Sequence, residues 1–313
     1  MNLFQRASLY SLLAVSLLFN SFCCSEAAAS DQNTATRSRQ TAITVNQNPV
    51  QEEVKFLTAS QLAEEENLMA ILWVQRSAEF RGLSYQAYNM AAMEIDRALA
   101  QRKRNKKKTS NNEAALRPLA VVLDIDDTIV SHAPLEAYYM EHPEAKANYA
   151  AWEKWIAQQQ KFLPGAKDFL NYAAAHNIQV FYVTGRGPQD RDTTLAFLRK
   201  AGLPLPDATH LRMNDRSGSK MNHFNALAQK YDIVCYLGDN VADFPIGALR
   251  DENKTRNAKV DAVRNSFGAK FILLPNPMYG DWEYNLAKKY RSLPSDQRIA
   301  LRKAAMKSFA QKK

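Results

Sequence analysis

Cysteine is scarce in this chain, with three among 313 residues: Cys23, Cys24 and Cys235. That is too few for a disulfide scaffold. Glycine is scarce as well, at 10 residues, and hydrophobic and charged residues stand at 46% and 23%. These values exclude a collagen and a wholly disordered chain. Long apolar runs of the roughly 18 residues that cross a bilayer are missing too, which excludes a multi-span membrane protein. What is left is ordinary globular usage over a length that fits one large or two modest domains. Acids are also in short supply, 32 against 41 Lys and Arg, for a net charge of +9. Such a balance raises the question of nucleic acid, but the excess is local. Arg102-Lys103-Arg104-Asn105-Lys106-Lys107-Lys108 carries one block of it, and residues 302–313 carry another with no acid. Without these two stretches the chain is near neutral. No recognised binding module accompanies them, so no nucleic-acid polymer is expected as a partner.

The first residues read as an address. One charge, Arg6, precedes the apolar run 9–22, and small residues follow at Ala27-Ala28-Ala29. A basic start, a short apolar run and small residues make a secretory signal peptide, assigned to residues 1–29. Two processing routes stay open. Signal peptidase would cut after the alanines, whereas Cys23 or Cys24 could instead carry a lipid and attach the protein to a membrane. Either way the mature protein is exported, to the periplasm or outer membrane of a bacterial envelope. Residues 30–56, rich in Gln, Asn, Thr and Ser, are expected to form a flexible tether.

Residues 57–117 are expected to form an N-terminal helical extension with a basic connection. Leu68, Met69, Leu72 and Trp73 fall on one helical stripe, as do Tyr88, Ala91, Ala92, Ile95 and Leu99. Gly82 is expected to divide two helices, and residues 102–113 to form an exposed loop. From Pro118 the pattern changes. Short continuous apolar runs at 119–123, 180–183, 233–237 and 271–274 read as fully buried parallel strands. Helical stretches at 166–176, 189–201 and 220–231 separate them. This alternation predicts a doubly wound, mainly parallel α/β sheet spanning 118–290, with 291–313 as a basic C-terminal helix or tail. Cys235, inside one apolar run, is expected to be a small buried hydrophobe.

In such a sheet, ligands sit beyond the carboxyl ends of the strands. The first strand ends in Asp124-Ile125-Asp126-Asp127-Thr128, the second in Thr184-Gly185-Arg186, and the third run in Gly238-Asp239-Asn240 with Asp243 following. Lys220 opens the helix before that third run. Acids gathered at the ends of apolar strands need compensation, and Mg²⁺, a hard cation that takes carboxylate and phosphate oxygens, supplies it.

The ordered set D-x-D-x-T, Thr, Lys and G-D-x-x-x-D resembles the haloacid dehalogenase phosphatase superfamily. Several further segments narrow the likeness: Leu68-Met69-Ala70, Leu163-Pro164-Gly165-Ala166, Gly238-Asp239-Asn240 and Pro275-Asn276-Pro277-Met278-Tyr279-Gly280-Asp281-Trp282-Glu283. They resemble the class C acid phosphatases, the group that includes the outer-membrane lipoprotein e 5′-nucleotidases. Two departures stand out. That family usually has Glu at Asp127 and Ser-Asn-Arg at Thr184-Gly185-Arg186, and Thr-Gly-Arg is also similar to class B acid phosphatases and plant storage proteins.

The resemblance implies a haloacid dehalogenase-type fold and an acid phosphatase or 5′-nucleotidase of phosphomonoesters. Asp124 is the implied nucleophile and Asp126 the acid and base, with a raised pKa expected for its proton-donor role. Mg²⁺ is expected on Asp124, Asp126 (through its backbone carbonyl) and Asp239, with Asp243 orienting these ligands. Thr184, Gly185 and Lys220 are the implied phosphate-binding residues. The insert at about 129–163 is expected to form a small helical cap, and Trp152, Trp155 and Tyr279 to stack on the substrate ring. His132 is expected to be a loop residue. A non-catalytic storage or haem-associated surface protein on the same scaffold is the alternative, disfavoured by the intact Asp124, Asp126, Thr184, Lys220 and Asp239. The sequence does not fix the oligomeric state.

Overall fold

The structure is a computed structural model that describes residues 57–108, 117–158, 161–214 and 218–309. The expected signal peptide and tether, residues 109–113 of the expected loop, and residues 310–313 of the expected C-terminal helix or tail lie outside these residues.

Three helices lead in: α1 (Ala59–Glu65), α2 (Leu68–Arg76) and α3 (Ala78–Lys108). A capping box starts α1, with Thr58 and Gln61 exchanging side-chain and backbone hydrogen bonds. The break expected at Gly82 falls instead at Ser77, which is extended (φ −75°, ψ 142°). Its hydroxyl accepts the Phe80 N–H at 3.0 Å, so α3 begins there. A single interior glycine costs only about 1 kcal/mol, and α3 runs through Gly82 for 31 residues. The basic block is correspondingly not a loop but the last turns of α3. Lys and Arg are good helix formers, and their charge suits a helix C-terminus. Arg102 is held there by an ion pair to Asp232 at 2.8 Å, which Arg117 shares.

The stripe expected for α2 is turned. Ile71 and Val74 are buried, while Met69 and Leu72 are exposed. This helix is apolar nearly all round, so its periodicity does not select a face. The α3 stripe stands: Tyr88, Ala91 and Ile95 are buried.

Five parallel strands follow: β1 (Leu119–Leu123), β2 (Gln179–Val183), β3 (Leu211–Arg212), β4 (Asp232–Gly238) and β5 (Phe271–Leu273), in the order β3-β2-β1-β4-β5. The expected runs supply four of them, and β3 is added at an edge. Successive side chains face opposite layers. Val121, Leu123, Val180 and Tyr182 pack on the side of α3, whereas Ala120, Val122, Phe181 and Val183 pack on the other side with Phe224 and Leu227. Cys235 is fully buried and free.

Two helices, α4 (Ala133–Glu141) and α5 (Tyr149–Gln158), sit between β1 and α6 (Ala166–Ala175). The rest are α7 (Arg191–Lys200), α8 (Met221–Lys230), α9 (Asn253–Ala262), the single turn α10 (Asp281–Tyr284) and α11 (Ser295–Ala305). Arg302 of α11 reaches Glu66 at the end of α1 and the buried Glu283 of α10. Among the described residues, no helix is long and apolar enough to cross a membrane.

Candidate functional site

The central strand β1 delivers Asp124 at its carboxyl end, and the Asp124 N–H stays in the sheet by donating to Leu237 O of β4 at 3.0 Å. The chain then turns sharply. Asp127 is left-handed (φ 51°), a conformation that a short polar side chain tolerates. Its N–H donates to Val130 O at 2.7 Å. On the neighbouring strand, β4 ends in Gly238, and the turn beyond it brings Asp239 and Asp243 back to Asp124. Gly238 is required by close approach, because a Cβ there would lie 2.2 Å from the Asp243 Cβ.

Lys220 precedes α8 and extends its ammonium to Asp124 Oδ1 at 2.5 Å and Asp243 Oδ1 at 2.7 Å. Asp243 Oδ2 accepts the Asn240 N–H at 2.9 Å, so both oxygens of Asp243 are engaged. Asp239 accepts from Asn276 Nδ2 at 2.8 Å and from the Thr128 hydroxyl at 3.3 Å. Asp124, Asp239 and Asp243 each present a carboxylate oxygen within 4.8 Å of the others. Burial raises Asp124 to about 7; Lys220 opposes this while Asp243 and Asp126 add to it. Burial, with Asp243, Asp124 and Asp127 nearby, holds Asp239 well above the usual carboxylate range. One lysine therefore faces several crowded carboxyls. An all-oxygen donor set with a deficit of positive charge fits a hard divalent cation.

Asp126 points elsewhere. Arg186, fully buried, grips it with two parallel hydrogen bonds, Nη2 to Oδ1 at 2.6 Å and Nε to Oδ2 at 3.0 Å. The expected raised pKa is corrected here. Burial pushes the carboxyl up, but Arg186 and His132 outweigh it and hold Asp126 well below the usual range. The cause is local: Arg186 and His132 lie against its two oxygens.

His132 is more than a loop residue. It is buried, its Nε2 lies 3.3 Å from Asp126 Oδ1, and its Nδ1 lies 2.8 Å from the Tyr279 hydroxyl. The Tyr279 hydroxyl donates to Asp127 Oδ2 at 2.5 Å, so it accepts from Nδ1–H of His132. Burial lowers the His132 pKa, but Asp126 and Asp127 outweigh that and raise it.

A cleft of about 830 Å³ opens on these groups, with Asp124, Lys220, Asp239, Gly185, Trp152 and Tyr279 in its wall. Two of the three expected stacking residues thus reach the cleft. Trp155 does not: it packs edge-on against His132 (ring centroids 4.2 Å apart) and lines a separate cavity. At i,i+3 on α5 only one of the two indoles faces the cleft. Thr184 directly follows β2 and is buried, its hydroxyl oxygen accepting the Arg186 N–H at 3.1 Å. Arg186 was visible in the Thr-Gly-Arg signature, but its partner lies 60 residues away, and no spacing rule connects them. Asn276, 37 residues from Asp239, was hidden in the same way, as was Tyr279 as the partner of Asp127 and His132.

Residues 25–282 match the family described as HAD superfamily, subfamily IIIB (Acid phosphatase). A class C acid phosphatase from Bacillus anthracis is similar at 32% identity with a TM-score of 0.70, over 80% of this chain and 99% of that one. A crystal structure of class C acid phosphatase from Bacillus anthracis with tungstate bound is similar at 31% identity with a TM-score of 0.71, over the same shares. With the strand-end carboxylates, Lys220 and the parallel sheet arranged as described, the chain belongs to the class C acid phosphatases of the haloacid dehalogenase superfamily and is a phosphomonoester hydrolase.

Proposed function

We propose that this phosphatase is an exported, Mg²⁺-dependent enzyme that hydrolyses nucleoside 5′-monophosphates and related aromatic phosphomonoesters through a phosphoaspartate at Asp124. The observation that carries this reading is the meeting of Asp124, Lys220, Asp239 and Asp243 in one cleft that Trp152 and Tyr279 also line. A similar phosphatase holds tungstate, an oxyanion of phosphate-like charge and shape.

In the first half-reaction a carboxylate oxygen of Asp124 attacks phosphorus, the bond from phosphorus to the ester oxygen breaks, and the leaving oxygen takes a proton from Asp126. In the second, Asp126 takes a proton from water as its oxygen attacks phosphorus, releasing phosphate and restoring Asp124. The low pKa of Asp126 suits the base role directly. For the acid role, the negative charge of a phosphoryl group arriving beside Asp126 raises that pKa again. The Lys220 ammonium beside Asp124 neutralises charge on the phosphoryl oxygens, Thr184 offers them a hydroxyl, and the bare backbone of Gly185 allows close approach. Asp124, Asp239 and the Asp126 backbone carbonyl would hold Mg²⁺ with Asp243 orienting them, and the bound ion supplies positive charge that keeps Asp124 ionised and offsets charge in the transition state.

Residues 1–29 direct export, and the mature N-terminus is either a residue after Ala29 or a lipidated Cys; mass spectrometry of the mature protein distinguishes the two. Activity is tested by comparing adenosine 5′-monophosphate, nicotinamide mononucleotide and sugar phosphates with purified protein in Mg²⁺ or chelator. Nucleotides should give the highest kcat/KM, and chelation should abolish turnover. Equal use of sugar phosphates, or full activity in chelator, contradicts the reading.

A further inference from the structure

The cleft that holds Asp124 and Lys220 is also lined by Arg291, in the turn Tyr290–Ser292, and by Arg298 of α11. Both lie beyond residue 282, where the family match ends. Neither has an acidic partner within ion-pair distance among the described residues. Arg298 is half-buried. Its Nη2 donates to Ser295 Oγ at 3.0 Å, and its buried Nε–H meets no acceptor. The exposed Arg291 lays its guanidinium over the Tyr284 ring, 5.0 Å from the centroid. Other carboxylates in the same wall have cations of their own: Lys146 holds Glu64 at 2.5 Å and lies 3.7 Å from Glu136, Arg256 meets Asp281 at 3.1 Å, and Arg302 holds Glu66 and Glu283 at 2.8 and 2.7 Å. A guanidinium is a rigid fork of donors that matches phosphate oxygens.

Building on the proposed hydrolysis at Asp124, we propose that Arg291 and Arg298 form a second anion subsite, which binds a phosphate on the leaving group while Asp124 attacks the scissile one. The enzyme then favours phosphomonoesters whose leaving group carries a further phosphate, such as nucleoside bisphosphates. The interaction acts in ground state and transition state alike, so it lowers KM and leaves kcat little changed.

The test compares adenosine 3′,5′-bisphosphate with adenosine 5′-monophosphate in the wild type, R291A, R298A, the double variant and R298K, with thermal melting as a check on folding. The wild type should show a KM about tenfold lower for the bisphosphate, an advantage that shrinks with added salt. The double variant should lose that advantage while kcat/KM for the monophosphate changes by less than about twofold, and R298K should keep part of it. R291A removes only an exposed side chain, so its result stands even if the Arg298 variants fold poorly. A wild type without preference, or variants that weaken both substrates alike, overturns the subsite. Binding calorimetry of the same two ligands to D124N reads the preference without turnover. Preference in binding with no hydrolysis by the wild type would sink the phosphatase reading and leave the subsite, whereas hydrolysis without preference would do the reverse.

Discussion

The buried fork from Arg186 to Asp126 decides how that carboxylate is used. It fixes both oxygens, and with His132 it holds the pKa well below the usual range against the push of burial. The guanidinium also lies under the Trp152 and Trp155 rings, at 5.7 and 5.8 Å, so the insert that carries the indoles and the acid it helps to place are in contact. Arg186→Gln should therefore do two things. It should lower kcat by about ten- to a hundredfold through loss of positioning. It should also let the Asp126 pKa rise, so the high-pH limb of kcat, which marks loss of the donated proton, moves to higher pH. Arg186→Lys keeps the charge without the fork and should lose rate with little movement of the limb. A wild-type rate and profile in both variants would contradict this assignment. The acids were legible in the sequence because a carboxylate directly after an apolar strand is costly without a purpose. The cation that manages Asp126 was not, because the fold alone brings residue 186 to residue 126.

Among the elements, the inner strands were readable for a simple reason: a central parallel strand is buried on both faces, so β1, β2 and β4 stand out as apolar runs, and β5, at an edge, is legible because Phe271-Ile272-Leu273 is apolar as well. The edge strand β3 is two residues with an arginine in it, and no periodicity distinguishes it from a turn. The face of α2 was illegible because nearly every residue in it is apolar, and the path of α3 was misjudged because glycine signals a break only where a cap takes over. Ser77 is that cap, and Gly82 is an ordinary interior position with open space where a Cβ would sit. Gly82→Ala should consequently stabilise the protein by about 0.5–1 kcal/mol, raising Tm by about 1–4 °C with activity unchanged. An unchanged or lower Tm would mean that α3 does not run straight through this position.

On the scale of the whole molecule, the cluster of carboxyls makes stability depend on what balances them. Burial, with Asp243 and Asp126 adding and Lys220 opposing, raises Asp124 from 3.8 to about 7. A carboxyl whose folded pKa is raised stabilises the fold while protonated. That contribution is whole below 3.8 and is lost as pH rises through about 7. A divalent cation takes the place of the proton, so the gain in Tm from Mg²⁺ should grow between those two values and level off above them. At saturating metal it should reach roughly 5–10 °C; a gain independent of pH, or largest in acid, would contradict the assignment of these carboxyls to a cation. In the proposed reaction Asp124 carries the phosphoryl group between substrate and water. Acid-quenched mass spectrometry of the enzyme during turnover of a chromogenic phosphomonoester tests this most directly, beside Asp124→Asn. The account predicts a phosphoryl group on the peptide that contains Asp124, absent from the variant, together with loss of turnover by at least about a thousandfold. Full turnover in Asp124→Asn, or a phosphoryl group found on another residue, would contradict it.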